Sequence, residues 1–441
     1  MRIVCVGGGP AGLYFSISAK LRDAGHEITV IERDPPEATY GWGVVYWDDL
    51  LDILHGNDPE SARAVSAGSV LWQAQQIQLH GARHDGTAYF GGYGYSMGRA
   101  ALLEALTRRA RQLGVDVRHG ERLADPADLP EADLIVAADG ASSRIRQSRA
   151  EHFGTKTETG RNPYIWLGTD QQFDSFVFCF EETEAGWIWF HAYPSIRGIS
   201  TCIVECSPQT WQGLGLDAME PEEAVPLLEK IFHRALDGHS LISSSRGAPA
   251  QWQRFTHISN RTWVDGNVVL AGDSAHTTHF TLGSGTRLAM IDAIVLAHSL
   301  AQYPDPRVAL RAYDEHRRAE LHPVQAGARS SMAWFEQLDD YLDRDPVSFA
   351  YAMAVRTGRE SPWRYQAHLA NQIPVVRKAR VAYDTGRRWY RDRRRGEAPL
   401  PLLGRSVTPR SVTPRSGTPG SVTPRSVTPG SVTPGAPPKT P

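Results

Sequence analysis

The sequence predicts an α/β fold: a parallel sheet wound with helices, an inserted antiparallel sheet, a set of C-terminal helices and a disordered tail. Three observations carry this expectation. A strand, a glycine-rich turn and a helix follow one another at the N-terminus. Two later apolar runs, Leu134–Ala138 and Asn267–Ala271, each lead into an acid, Asp139 and Asp273. Between Tyr164 and Cys206 the patterning changes to aromatic-rich runs separated by turns. Strands alternating with helical spacing favour a parallel sheet, and short runs between turns favour hairpins.

Arg2–Val6 reads as a buried strand, Ala11–Ala24 as a helix with Leu13, Ile17 and Leu21 on one face, and His26–Glu32 as the next strand. Between them, Gly7-Gly8-Gly9-Pro10-Ala11-Gly12 satisfies the Rossmann-like pattern G-x-G-x-x-G. Gly7 permits the tight turn, Gly9 lets the backbone approach a pyrophosphate, and Gly12 allows close helix–strand packing. The free N–H groups and positive dipole end of the helix then face the phosphates. Glu32 stands 20 residues past Gly12, where a carboxylate can accept from ribose hydroxyls. The same charge would repel a 2′-phosphate, although Arg33 lies beside it. This motif alone does not separate NAD from FAD.

Asp139 opens D-G-x-x-S-x-x-R, ending at Arg146, and Asp273 lies in G-D-x-A-H, ending at His276. Each acid sits at the carboxyl end of a strand, where open α/β sheets bind ligands. Asp273 can take ribityl hydroxyls. The turn Gly283–Thr286 opens a helix carrying Asp292, and offers N–H groups suited to a carbonyl-rich ring.

In the middle of the chain, Tyr164–Thr169, Phe176–Glu181, Gly186–Ala192 and Ser200–Cys206 read as strands. Arg307–Arg395 reads as mostly helical. From Ser406 to Gly435 the unit Ser-Val-Thr-Pro-Arg/Gly occurs six times, with Gly417 once replacing Val. Proline blocks ladders and one valine per unit buries little, so ordering entropy is not offset. The expected organisation is a discontinuous domain over 1–160 and 256–320, a sheet domain over 161–255 with part of 70–97, helices over 321–400, and a disordered tail over 404–441.

Composition excludes several classes. Apolar residues make up 41% and charged residues 22% of 441, ordinary for a globular protein. No apolar run of about 20 residues is present to span a membrane. The N-terminus passes from one arginine into a strand, so no secretory signal is expected. Cys5, Cys179, Cys202 and Cys206 fit no zinc spacing and read as buried thiols of a cytoplasmic protein, and no metal is expected. Setting aside the five basic residues from Arg405 onward leaves 42 basic against 49 acidic residues. A net-acidic body argues against nucleic acid. The local exception is Val376–Arg395, with nine basic residues, among them Arg377, Lys378 and Arg380, against Asp384 and Asp392. It reads as a solvated helix face or as a patch for a phosphate-bearing or acidic partner.

The three motifs, in this order over residues 7–293, resemble those of the FAD-dependent aromatic hydroxylases of the para-hydroxybenzoate hydroxylase type. The resemblance implies that Gly7, Gly9, Gly12 and Glu32 hold the ADP half of FAD, with Pro10, Ala11 and Arg33 as further cofactor contacts. Asp273 would hold the ribityl chain. Gly283, Gly285 and Thr286 would face the flavin ring, and Arg99 and Asp139 would contact the cofactor. It implies ring hydroxylation with NADH or NADPH and O2 through a flavin C4a-hydroperoxide. Further stretches narrow the likeness. Gly41–Val45, Arg161–Thr169, His276–Thr286, Ser330–Glu336 and Phe349–Thr357 are similar to a subgroup containing salicylyl-CoA 5-hydroxylase, 2-aminobenzoyl-CoA monooxygenase and a violacein-pathway tryptophan hydroxylase. Ser284-Gly285-Thr286-Arg287 is closer to the thioester members. Phe280 departs from the wider family, in which proline is frequent there.

The aromatic sheet would roof the ring site, with Arg161, Tyr164, Trp166, Trp189 and His191 as candidate substrate contacts and His279 as the candidate proton-transfer group. His276 reads as structural. The expected substrate is an aryl-CoA thioester such as salicylyl-CoA or anthraniloyl-CoA, acted on by a monomer or homodimer. The alternatives are free tryptophan or indole, a carrier-bound aryl group, a flavin-dependent halogenase, and a flavin-binding module without turnover. Trp187-Ile188-Trp189 lacks the Ile-Pro that a halogenase signature continues with.

Overall fold

A computed structural model describes residues 1–36, 42–123, 128–245, 248–358 and 361–396. By its contacts the chain separates into two units, Met1–Gly404 and Arg405–Pro441. The Ser-Val-Thr-Pro repeats lie outside the described residues, as does Gly41.

The first sheet has six strands in the order Val264–Asp265, Val268–Leu270, Leu134–Ala137, Arg2–Val6, Glu27–Glu32 and Asp116–His119. All neighbours are parallel except the first pair. The parallel strands are nearly continuous apolar runs because helices cover both faces. Cys5, Val30, Val136 and Val269 have no exposed surface. The helix Pro10–Arg22 is buried from Ala11 through Ala19 because it lies between this sheet and the helix Gly285–Gln302. Chain order reverses between Arg2–Val6 and Leu134–Ala137, which creates the crevice that such sheets offer to ligands.

The second sheet has nine strands. It is mixed rather than antiparallel throughout: Val70–His80 runs parallel to Phe176–Thr183, with Ile77 opposite Phe178. The reason is its assembly from separate excursions of the chain. Val70–His80 and Asp85–Gly98 form one hairpin, extended by Gly43–Tyr46. Lys156–Thr169, Phe176–Thr183, Gly186–Ile196 and Ile199–Cys206 form the other part, and Gln253–Ser259 adds to its edge. Register aligns side chains into transverse rows. One row runs Trp166, Ile203, His191, Phe178, and the next runs Tyr164, Glu205, Trp189, Phe180.

Four C-terminal helices follow: Pro306–Glu336, Pro346–Val355, Pro362–Gln372 and Pro374–Arg395. Each opens with proline, whose missing N–H is no loss in a first turn. Asp305 and Asp345 cap two of them through their side chains. The last helix turns Asp384, Arg388, Asp392 and Arg395 inward. Among the described residues, no helix is long and apolar enough to cross a membrane. All four cysteines are buried free thiols, and burial pushes Cys5 up to about 12.

Candidate functional site

The glycine turn follows steric necessity. Gly7 has φ +110°, and a Cβ there would lie 2.2 Å from the Ala138 carbonyl oxygen. A Cβ on Gly12 would lie 2.2 Å from the Gly7 carbonyl. At Gly9 a Cβ would meet nothing within 4 Å among the described residues. The middle glycine therefore opens onto free space, where its neighbours are packed. Among the described residues no side chain caps the helix that begins at Pro10, so its first N–H groups face that space. Ala11 packs inward behind the turn, where a Cβ on Gly272 would lie 2.9 Å from its own Cβ.

Glu32 braces the same turn. Its Oε2 accepts from the Gly8 N–H at 2.6 Å and its Oε1 from the Asp34 N–H at 2.9 Å. Each oxygen retains acceptor capacity for a hydroxyl. Asp139 accepts from the Arg144 N–H at 2.9 Å, and burial raises its pKa.

Asp273 stands on the short turn after Val268–Leu270. It is enclosed within the protein yet open to the cavity, which reconciles its exposed surface with its environment. Enclosure raises its pKa, while His276 and Arg99 act in the opposite direction. A buried network fixes this turn. Asp292 Oδ2 accepts from the Gly272 N–H at 3.0 Å and lies 2.7 Å from His276 Nε2, and Arg317 Nε donates to its Oδ1 at 2.8 Å. His276, stacked on Trp263, is thus a structural residue.

Arg99, at the start of the helix Arg99–Gln112, is a wall common to three cavities. The smallest, about 220 Å³, is lined by Gly7, Gly9, Glu32, Arg33 and Asp139. Another of about 680 Å³ includes Gly8, Gly9, Glu32, Arg108 and His119. The third, about 510 Å³, includes Asp273, Gly283, Gly285 and Thr286. Burial depresses the Arg99 pKa, and Asp273 and Glu32 counter it. Acids at both ends, a free helix N-terminus and open space at Gly9 suit an extended dinucleotide. These residues fit FAD.

The third cavity also gathers most of the residues expected around the ring. Its roof is the transverse row Trp166, Ile203, His191, Phe178, with Tyr164, Phe176 and Tyr193 beside it. His191 lies between the Phe176 and Phe280 rings, with centroids 6.0 and 5.5 Å away. Among the described residues its buried Nδ1 has no partner, nor does the indole N–H of Trp166. Burial, then the Arg356 charge, lowers His191 to about 3, so its imidazole is neutral.

Three other candidates lie elsewhere. Trp189 is one row beyond the cavity, donating to Glu205 Oε2 at 3.3 Å and stacked on Phe335. Glu205 also accepts from Asn162 Nδ2 at 2.9 Å, and burial pushes it up to about 7. Arg161 is exposed, with its backbone N–H on Glu336. His279 is one layer behind the wall, its Nδ1 2.8 Å from Thr281 Oγ1, and burial lowers it to about 3. Sequence reasoning missed Arg356, which lines this cavity. It follows the last turn of the Pro346–Val355 helix, where arginine reads as an ordinary helix-end cation.

The chain matches the family described as FAD binding domain over residues 1–326. It is 36% identical to a salicyloyl-CoA 5-hydroxylase of Streptomyces sp, across 81% of this chain and 70% of that protein. It is 38% identical to a 3-hydroxy-4-methyl-anthranilyl-[aryl-carrier protein] 5-monooxygenase of Streptosporangium sibiricum, across 77% and 90%. A protodeoxyviolaceinate monooxygenase of Chromobacterium violaceum is 28% identical across 81% and 94%. Among solved structures, 2-methyl-3-hydroxypyridine-5-carboxylic acid oxygenase superposes with a TM-score of 0.59 at 22% identity, covering 83% of this chain and 95% of that one, a likeness of fold.

Proposed function

Since the chain belongs to the FAD binding domain family, and within it to the FAD-dependent aromatic monooxygenases that use NAD(P)H and O2, we propose that it hydroxylates an aromatic ring carried as a thioester. The observation that carries the thioester is the identity of 36% and 38% to two relatives named for a CoA thioester and a carrier-bound aryl group. The cavity of about 510 Å³ suits a planar ring, with apolar walls and few polar groups.

Reduced FAD supplies, on meeting O2, an oxygen electrophilic enough for an electron-rich ring to attack. Gly7, Gly9, Gly12 and Glu32 would hold the adenosine diphosphate end. Arg99 and Asp273 would hold the middle, and Gly283, Gly285 and Thr286 would border the ring end. Phe176, Phe178, Tyr193 and Phe280 exclude water from the reacting face. Trp166 and His191 would form part of the roof over the ring, with Tyr164 beside them. Such a cavity would take an aromatic substrate flat against the roof.

The test is NAD(P)H consumption by the FAD-loaded protein with salicylyl-CoA, anthraniloyl-CoA, salicylate and tryptophan, with product analysis. A thioester is expected to give coupled hydroxylation and the free acids little. Preferential turnover of salicylate or tryptophan would refute the thioester. Product formation only with halide and free reduced flavin would refute the monooxygenase.

A further inference from the structure

The strand Val70–His80 changes face part-way along. Side chains two residues apart on a regular strand share a face. Gln73 and Gln75 do not: Gln73 Nε2 donates to Thr385 Oγ1 at 3.0 Å on the last helix, whereas Gln75 lines the cavity of about 510 Å³. Trp72 lies edge-on to the Phe176 ring, with centroids 5.5 Å apart, and Gln75 pairs with Phe176 across the parallel ladder. Two residues three apart are thus both set beside Phe176, itself a cavity residue. The break is Ala74. Its φ is +71°, and Gly91 and Gly92 of the neighbouring strand stand opposite it, where the pairing passes from Gln73 with Tyr93 to Gln75 with Phe90. This is a β-bulge. Alanine in left-handed backbone is strained. Among the described residues the other non-glycine residue with positive φ is Asp237, which ends a short helix. Without the bulge Gln75 would follow Gln73 to the outer face. A bulge kept at such a cost re-aims a side chain, and the one re-aimed here is Gln75.

What Gln75 brings to the cavity is a free carboxamide. Among the described residues it has no hydrogen-bond partner, and its polar atoms are open to the cavity. Other polar side chains of this cavity are engaged. Tyr193 Oη donates to the Gly43 carbonyl at 3.0 Å, Thr277 Oγ1 donates to the Thr256 carbonyl at 2.7 Å, and Thr281 Oγ1 lies 2.8 Å from both His279 Nδ1 and Ser331 Oγ. His191 Nδ1 and the Trp166 N–H lack partners as well, but the wall itself covers them. Phe176 beside Gln75 and Trp47 beyond Trp72 make this part of the wall aromatic. A carboxamide accepts through Oε1 and donates twice through Nε2, so a hydroxyl or an amino group satisfies it equally.

We propose that Gln75 recognises the substituent that activates the substrate ring: its carboxamide hydrogen-bonds the ring hydroxyl or amino group, fixes how the ring is turned in the cavity, and selects substituted over bare aryl thioesters. This assignment rests on the proposed hydroxylation of an aryl thioester. No covalent bond is made or broken in the recognition. A hydroxyl and an amino ring are both admitted, because either supplies a proton to Oε1. A ring without the substituent leaves the carboxamide unpaired against an aromatic wall, which costs binding.

The experiment is equilibrium binding to the FAD-loaded protein without NAD(P)H, read from the perturbed flavin absorbance. The probes are salicylyl-CoA, anthraniloyl-CoA and benzoyl-CoA, with salicylamide, anthranilamide and benzamide as small counterparts. The wild type should hold the first two CoA esters about tenfold more tightly than benzoyl-CoA. Gln75→Met, close in length and without the amide, should close that gap by weakening the first two, while benzoyl-CoA affinity and FAD content persist. Gln75→Glu keeps an acceptor and should retain part of the gap. A wild type that binds benzoyl-CoA as tightly as the substituted esters overturns the proposal, and this result decides even where a variant fails to fold. A gap that survives in Gln75→Met overturns it too, and so does a loss shared equally by benzoyl-CoA, which would put the amide on the thioester carbonyl. If no CoA ester binds, the thioester reading fails, and the three amides still judge Gln75. A gap over benzamide that Gln75→Met removes supports it, and no such gap overturns it.

Discussion

Asp292→Asn tests whether the buried network behind Asp273 holds the cofactor turn. Asp292 is fully buried, as nearly is Arg317. One carboxylate oxygen receives Arg317 Nε at 2.8 Å, with Nη2 also 2.8 Å away. The other receives the Gly272 N–H at 3.0 Å and lies 2.7 Å from His276 Nε2. Burial alone would raise the Asp292 pKa, yet His276 and Arg317 win and hold it below the usual carboxylate range. Asparagine keeps the shape and removes the charge, leaving Arg317 with Glu320 at 2.5 Å, a partner at the half-exposed rim. Breaking one side of a buried pair costs about 3–5 kcal/mol, and Glu320 places this case near the lower end. The assay is urea unfolding of the FAD-free protein at neutral pH, with FAD affinity measured by flavin fluorescence. A carboxyl depressed in the folded state contributes stability above its unfolded pKa of about 4 and loses it as pH falls. The difference between wild type and variant should therefore shrink in acid. A loss under about 1 kcal/mol at neutral pH, or a gap that widens in acid, refutes the reasoning.

The glycine turn separates packing from ligand approach. Gly9→Ala, whose added methyl meets only open space, should leave the thermal midpoint of the FAD-free protein unchanged and weaken FAD binding at least tenfold, about 1.4 kcal/mol. Gly7→Ala, forced to φ +110° against a carbonyl, should lower that midpoint by itself; equal midpoints for the two variants would contradict this division. His279→Asn should reduce turnover by less than about tenfold, since the ring lies behind Thr281 rather than on the cavity wall, and a loss of about 10³-fold in kcat would restore it as a proton-transfer group. On the last helix, Arg377 lies over the Tyr89 ring at 3.7 Å and Arg380 bonds Asn371 at 3.2 Å, so the free charges are better sampled at exposed Lys378 and Arg394. Lys378→Glu with Arg394→Glu should raise KM for a CoA thioester at low salt and leave FAD content alone; an unchanged KM assigns that face to solvation.

The cofactor half of the site was legible because its chemistry is local. A turn that must admit a carbonyl 2.2 Å from where a Cβ would stand writes glycine at that position, and a strand end that offers an acid writes it next to an apolar run. The ring half is built from segments near residues 43, 164, 191, 254, 281 and 356, which meet only through tertiary packing. Strand alternation places Trp189 and His191 on one face, but it carries no information on where along the strand the cavity ends. Cross-strand register settles that: the His191 row opens onto the cavity, whereas the Trp189 row closes on Glu205 and Phe335. The parallel pairing of Val70–His80 with Phe176–Thr183 was hidden for the same reason, since about a hundred residues separate them and each strand alone fits a hairpin. Arg356 is the extreme case. Its sequence neighbours describe a helix end, whereas the groups that hold it, Ser331 Oγ, the Thr281 carbonyl and the Phe335 ring, come from other elements. Such partners are a property of the folded surroundings, so no local pattern can announce them. The residue that lines the cavity is therefore placed by packing of the Pro346–Val355 helix against the Pro306–Glu336 helix and the loop before Gly283, not by its own stretch of sequence.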